Sequence, residues 1–340
     1  MGAYMIIKKI DLIGNTPLVL LEHYSKIYKC DIYVKLEKYN LTYSSKDRAV
    51  KQMLLNALNT RTINENSTII EATSGNTGIS LACICNILKL KCIIVCPESI
   101  SEERKQLLNI YNAKVIYTSK QGGMNEALKK AKRLSKTIKN SFLLDQFNNI
   151  NNTNSHYEFT SKEILDDLPE IQCFCASYGT SGTIMGIAKA LKEKKENIKV
   201  IAAIPDNKKH RVEGIFSNVS SSLHDKTYID EVIKVSDVDA YNMQKELIIN
   251  EGLFLGLSSS LAISSSLKYL KNVKCDNMVI FCPDGGERYL SNKFIYNKNI
   301  SKEEIKKESH TIDFLIVFAY KNILIIYKNL RKGMKVLETD

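Results

Sequence analysis

Short apolar, β-branched runs alternate with longer stretches of helical period along most of this chain. The runs at residues 31–36, 67–71, 91–95, 113–117, 173–176, 199–204 and 278–282 read as strands. Between them, residues 48–58, 79–88, 102–111, 124–134, 184–193, 238–250 and 261–270 place apolar side chains at helical spacing. Strands that alternate with helices predict an α/β fold of mostly parallel sheets, with helices on both faces. Such sheets carry their ligand loops at the carboxyl ends of strands. Two glycine-bearing loops fall at such places, one after Glu71 and one after Ala176. The asparagine-rich stretch 148–154 reads as a loop, and no internal repeat interrupts the alternation.

Composition changes this picture little. A chain of 340 residues, 44% of them apolar, is long enough for one or two domains with a large core. The net charge of +11 is spread over predicted helices in short clusters such as Lys129-Lys130. That distribution reads as solvated helix faces rather than a nucleic-acid surface. None of the nine cysteines forms a C-x-x-C pair, and no histidine stands at zinc-finger spacing from them. Most sit in apolar runs such as Lys91 to Cys96, where a thiol behaves as a small hydrophobe, so neither metal nor disulfide is expected. The first ten residues lack the apolar core of a signal peptide, and a reducing cytoplasm is the expected location.

Three segments carry candidate chemistry. The turn Gly179-Thr180-Ser181-Gly182-Thr183 leads from a strand into a helix. Freed backbone N–H groups, hydroxyls and a helix N-terminus suit a phosphate monoester there. A ligand-free tight turn is the other reading. The turn lacks the lysine of a triphosphate loop, and it is not the G-x-G-x-x-G of a dinucleotide site. The loop Thr73-Ser74-Gly75-Asn76-Thr77 precedes a second helix and offers donors suited to a carboxylate, or simply caps that helix. Lys46, beside Asp47, taken alone reads as a surface lysine. The three together match an amino-acid enzyme that uses pyridoxal phosphate.

The chain resembles the cysteine synthase (O-acetylserine sulfhydrylase) and cystathionine β-synthase family of fold-type II pyridoxal-phosphate enzymes. The resemblance rests on Asp11 to Leu18, Ser44 to Arg48, Thr73 to Gly78, Gln146-Phe147, His156 to Glu158, Gly179 to Thr183, Gly256 to Ser259 and Pro283 to Ser291, in family order. It implies two three-layer α/β/α domains with mostly parallel sheets, of the tryptophan-synthase-β type. The larger would comprise residues 1–45 with 151–297, and the smaller, mobile one 46–150. It implies that Lys46 forms the Schiff base and moves the proton at Cα. Asn76 would meet the cofactor's ring oxygen. Thr73, Ser74, Gly75, Thr77 and Gln146 would bind the substrate carboxylate. Gly179, Thr180, Ser181, Gly182 and Thr183 would hold the phosphate. The implied reaction is β-replacement on an O-activated serine by a homodimer, with O-acetylserine and sulfide as the leading pair. A cystathionine β-synthase, a diaminopropionate-type synthase and an impaired binding protein of the same fold are the alternatives.

Departures from the family pattern add expectations. Tyr43 replaces a family glycine and should reshape the entry beside Lys46. Gly285 replaces the serine that meets the pyridine nitrogen, leaving water or Asp284 for that place. After Gly214 the loop reads Ile215-Phe216-Ser217, where a further glycine is common. The extension 298–340 has no family counterpart; its apolar stretches 314–320 and 323–327 read as two short strands or an interface helix, with membrane contact as the remaining reading.

Overall fold

The computed structural model describes residues 8–207, 210–215 and 221–291. Phe216, Ser217 and the extension 298–340 lie outside these described residues. In chain order the elements begin β1 (Leu18–Leu20), α1 (Glu22–Tyr28), β2 (Asp31–Leu36), α2 (Lys46–Asn59), β3 (Thr68–Ala72) and α3 (Asn76–Leu88). Then come β4 (Lys91–Pro97), α4 (Glu102–Ile110), β5 (Lys114–Thr118), α5 (Gly123–Thr137), β6 (Ser141–Leu143), α6 (Ile150–Ser155) and α7 (Ser161–Asp167). The last are β7 (Cys173–Ser177), α8 (Gly182–Lys194), β8 (Lys199–Pro205), β9 (Glu231–Val235), α9 (Asp237–Glu251), α10 (Leu257–Leu270) and β10 (Asn277–Cys282).

The strands form two sheets, each sandwiched by helices. The smaller has the order β5-β4-β3-β6 and is parallel throughout. The larger has the order β1-β2-β10-β7-β8-β9, and β1 is its antiparallel edge. Runs such as Ile69-Ile70 in β3 and Phe174 to Ala176 in β7 are buried on both faces, which explains their lack of polar alternation. Helix α3 is buried from Thr77 to Cys85, so small and apolar residues surround it almost completely. It lies under the smaller sheet in a core shared with Val50, Met53 and Leu54 of α2.

The stretch 148–154 corrects the sequence expectation of a loop. Asn149 caps α6 by accepting from the Asn151 N–H at 3.1 Å. Asn152 is buried inside that helix, and its amide donates to Gln146 O at 2.8 Å and to Thr180 Oγ1 at 3.1 Å. A π-helical turn, His156–Thr160, then leads into α7. Asparagine favours caps and turns through local hydrogen bonds, but here the partners of Asn152 come from distant segments. The short edge strands β1, β6 and β9 and the helix α1 were not legible in the apolar pattern, because few of their residues are buried.

A buried ionic network ties α2 to the larger sheet. The Arg48 guanidinium donates to Glu37 at 2.7 and 2.9 Å and to Glu163 at 2.6 and 2.7 Å. Lys35, wholly buried in β2, reaches Glu163 at 2.9 Å and donates to Thr16 O at 2.6 Å. Burial alone would raise the Glu163 carboxyl, but Arg48 and Lys35 overcome it and hold the group at about 2. In the unfolded chain the same carboxyl titrates near 4.5, so the unfolded state takes up the proton first as pH falls. The contribution of Glu163 is therefore full above 4.5 and is lost as pH falls toward 2. Replacing Arg48 by Met should cost about 3–5 kcal/mol, read as a lower urea midpoint, because two carboxylates lose their buried partner. Glu163→Gln should flatten the acid limb of stability over that interval.

Candidate active site

Carboxyl ends of strands from both sheets face one cavity. Four segments build it. Strand β3 ends at Ala72, and Thr73, Ser74 and Gly75 lead into α3. Strand β7 ends at Ser177, and Tyr178 to Ser181 lead into α8. Strand β10 ends at Cys282 and continues through Pro283 and Asp284. Helix α2 begins at Lys46, and its approach is sewn to the end of β10. Ser44 bridges Asp284, and the Ser45 N–H donates to Pro283 O at 2.9 Å.

Of the sequence-predicted residues, Lys46, Thr73, Ser74, Gly75, Asn76, Thr77, Gln146, Gly179, Thr180, Ser181 and Thr183 all line this cavity. Gly182 stands behind its wall. A Cβ on Gly182 would lie 2.3 Å from Asn152 Oδ1, and one on Gly179 would lie 2.0 Å from Gly214 O. Both glycines are thus demanded by close packing around the turn. The residue in the left-handed region is Ser181, at φ 72°. Tyr43 stands outside the cavity lining. It adopts φ 62°, the conformation that suits a glycine, and its side chain is 65% exposed.

Desolvation pushes the Lys46 ammonium below its ordinary range, while Asp284 and Glu37 pull it partly back. A larger fraction of neutral, nucleophilic amine results. Thr77 Oγ1 donates to Gln146 Oε1 at 2.7 Å, and Gln146 Nε2 donates to Glu71 Oε1 at 3.0 Å. Burial pushes Glu71 up to about 8, so this relay adds no full negative charge beneath the Thr73 loop at neutral pH. Asn76 Nδ2 donates to Asp284 Oδ2 at 2.7 Å, and its Oδ1 accepts from Arg288 at 2.5 Å, which leaves one amide hydrogen uncommitted. Buried His156 is held neutral by desolvation, with Arg48 and Lys46 acting in the same direction. Its Nε2 lies 3.0 Å from Thr183 Oγ1 and orients that hydroxyl at the start of α8.

Arg104 and Glu213 escaped the sequence reading. They form an ion pair, and both line the cavity. Arg104 is buried, with its guanidinium 5.2 Å from the Tyr289 ring centre. In sequence it is one charge among several on α4, and only its distant partner distinguishes it.

The residues present fit pyridoxal phosphate. A desolvated amine shares a cavity with the N-terminus of the 13-residue α8, an anion seat. Asp284 Oδ1 is buried with no hydrogen-bond partner, an acceptor suited to a protonated ring nitrogen. Two parallel sheets with a lysine-bearing cleft between their strand ends define the fold-type II class of these enzymes. Comparison with known proteins agrees: residues 10–284 match the family model described as pyridoxal-phosphate dependent enzyme. The chain belongs to that family, within its cysteine synthase and cystathionine β-synthase-related branch.

The chain is 40% identical to cysteine synthase B of Campylobacter jejuni over 291 residues, covering 83% of this chain and 96% of the relative. It is 35% identical to the O-acetylserine dependent cystathionine β-synthase of Bacillus subtilis, covering 85% and 97%. The crystal structure of a hydrogen sulfide-producing enzyme from Fusobacterium nucleatum superposes with a TM-score of 0.80 at 37% identity, covering 84% of this chain and all of that one.

The lowered Lys46 predicts a pH profile. Capture of the cofactor aldehyde by apoprotein should speed up as pH rises, with a midpoint below the ordinary lysine value of 10.5. Asp284→Asn should move that midpoint lower still, because it removes the larger of the two influences that favour the charged amine. Growth of the visible absorbance band against pH measures both.

Proposed function

We propose that this chain catalyses β-replacement on an O-activated L-serine, with O-acetyl-L-serine and sulfide giving L-cysteine and acetate. The observation that carries this reading is the desolvated Lys46 in one cavity with two helix N-termini, at α3 and α8. Bound pyridoxal phosphate supplies an aldehyde for the substrate amine and a conjugated ring that accepts electron density from Cα. The turn 179–183 and the start of α8 hold its phosphate. Thr73, Ser74 and Gly75 hold the substrate carboxylate at the start of α3. Gln146 and Thr77, already bonded to each other, brace that loop. Lys46 takes the proton from Cα as acetate leaves Cβ. It returns the proton to Cα after the nucleophile has added to Cβ. Gly285 has no hydroxyl to offer the ring nitrogen, so Asp284 Oδ1 takes that role.

The Arg104–Glu213 pair favours a second reading of the nucleophile. A cation and an anion on the cavity wall suit a zwitterionic thiol such as homocysteine better than they suit sulfide. The resemblance also supports a homodimer whose smaller domain, residues 46–150, closes on substrate. Among the described residues no helix is long and apolar enough to cross a membrane.

The experiment offers O-acetylserine to the holoenzyme with sulfide or with homocysteine and quantifies cysteine and cystathionine. Release of acetate with formation of either product supports β-replacement, and the ratio of specificity constants identifies the nucleophile. Lys46→Ala should lower turnover by roughly 10³-fold or more. No product from either nucleophile, or turnover that survives the substitution, would overturn the reading.

A further inference from the structure

At the end of the larger sheet away from the cavity, three strands begin side by side. Asn277 at the start of β10 lies opposite Asp31 at the start of β2, and Met278 lies opposite Cys173 at the start of β7. Each start carries a thiol: Cys30 immediately before β2, Cys275 two residues before β10, and Cys173 as the first residue of β7. The Asp31 N–H donates to Asp276 O at 2.8 Å, which clamps together the two turns bearing Cys30 and Cys275. Their Sγ atoms meet at 3.5 Å although 245 residues separate them in the chain.

We infer that Cys30 and Cys275 form a thiol-modification site that exchanges with low-molecular-weight disulfides. Cys275 is the attacking thiol. It is half-buried on a turn between exposed Lys274 and Asp276, whereas Cys30 and Cys173 are buried. Either thiol of the Cys30–Cys275 pair can donate to the other, and the protonated Cys275 also donates to Asn277 O at 3.1 Å. The neighbouring Cys173 and Cys30 thiols lower the proton affinity of Cys275 and have their own raised. The Cys275 thiolate attacks one sulfur of the small disulfide, forms a mixed disulfide and releases one small thiolate. The Cys30 thiol then loses its proton and attacks Cys275 Sγ, which closes the protein disulfide and expels the second small thiol. Two protein thiols are oxidised, and one small disulfide is reduced to two small thiols.

Cys30 rather than Cys173 is the resolving thiol because of backbone freedom. Closing 3.5 Å to the ~2.05 Å of a disulfide requires a small movement of both turns. Cys30 and Cys275 lie outside the strands, so both turns can supply it. Cys173 is paired within the sheet on both sides, to Met278 and to Lys199, and its Cβ is held in place. The site rests on the sheet register and does not depend on the reaction assigned to the cavity.

The test treats holoenzyme with oxidised glutathione, alkylates remaining thiols, and maps peptides by mass spectrometry without reduction. The expected result is a Cys30–Cys275 cross-link, with the other seven of the nine cysteines alkylated and full reversal by dithiothreitol. Cys30→Ala should trap glutathione on Cys275. In the wild-type protein, an alkylated Cys275, a persistent glutathione adduct there, or a Cys173–Cys275 link would each overturn the assignment. The wild-type digest decides the matter even if the variant fails to fold.

Discussion

The guanidinium of Arg48, buried between two carboxylates, is the interaction on which the rest of the molecule depends. It joins Glu37, which follows β2, to Glu163 on α7, and Thr16 and Lys35 complete the same set. Two cations meet two anions at hydrogen-bond distance, with the exposed Asp167 3.9 Å from Lys35, and the carboxylate oxygens of Glu37 and Glu163 accept charge-assisted hydrogen bonds. Desolvation of such a set offsets much of its Coulombic gain, so its net stabilisation is modest while its disruption is costly. What it supplies is position. Lys46 is two residues ahead of Arg48 on the first turn of α2, and a helix anchored at Arg48 has little freedom to move its own start. Asp47, which accepts from the Thr42 N–H and hydroxyl, anchors the intervening residue.

From that anchored start, the electrostatics of the cavity follow. An amine in a poorly hydrated cleft loses part of the solvation that favours its proton, and the nearest carboxylates return only part of it. Anions are favoured at the two helix starts, where unpaired N–H groups and the helix dipole act together. The buried acids below are arranged so as not to compete. Glu71 is pushed toward its neutral form, and Glu37 and Glu163 are neutralised by Arg48 and Lys35. His156 stays neutral as well, so the seat at α8 owes its pull to backbone and hydroxyl donors rather than to an imidazolium.

The parts legible in the sequence were those decided by local pattern. Doubly buried strands announced themselves as apolar runs, and both glycine turns fell where parallel strands end. What escaped depended on distant partners. Gly182 reads as a phosphate-loop residue, yet its missing Cβ makes room for Asn152, thirty residues earlier on α6. Asn152 itself read as loop because its partners, Gln146 O and Thr180 Oγ1, cannot be seen from its neighbours. For Tyr43 the sequence shows the size of the side chain and not its direction, which is outward into solvent. Cys30 and Cys275 belong to no C-x-x-C pair in the sequence, and only the strand register brings them together.

The contacts across the cavity are of a different kind from those that hold each sheet. Asn76 with Asp284 and Arg288, Arg104 with Glu213, and Ser291 with Glu103 are all polar. Apolar packing across the cleft would lose dispersion and hydrophobic stabilisation if the cleft opened. Hydrogen bonds exposed by opening are replaced by bonds to water at a net cost of about 1 kcal/mol each. A substrate carboxylate or ammonium can replace them as readily. The contacts across the cleft thus exchange easily, whereas the buried Arg48 network that fastens α2 to the larger sheet, and the sheet cores, do not. That contrast lets a cleft admit polar substrates without loosening the lysine at its base.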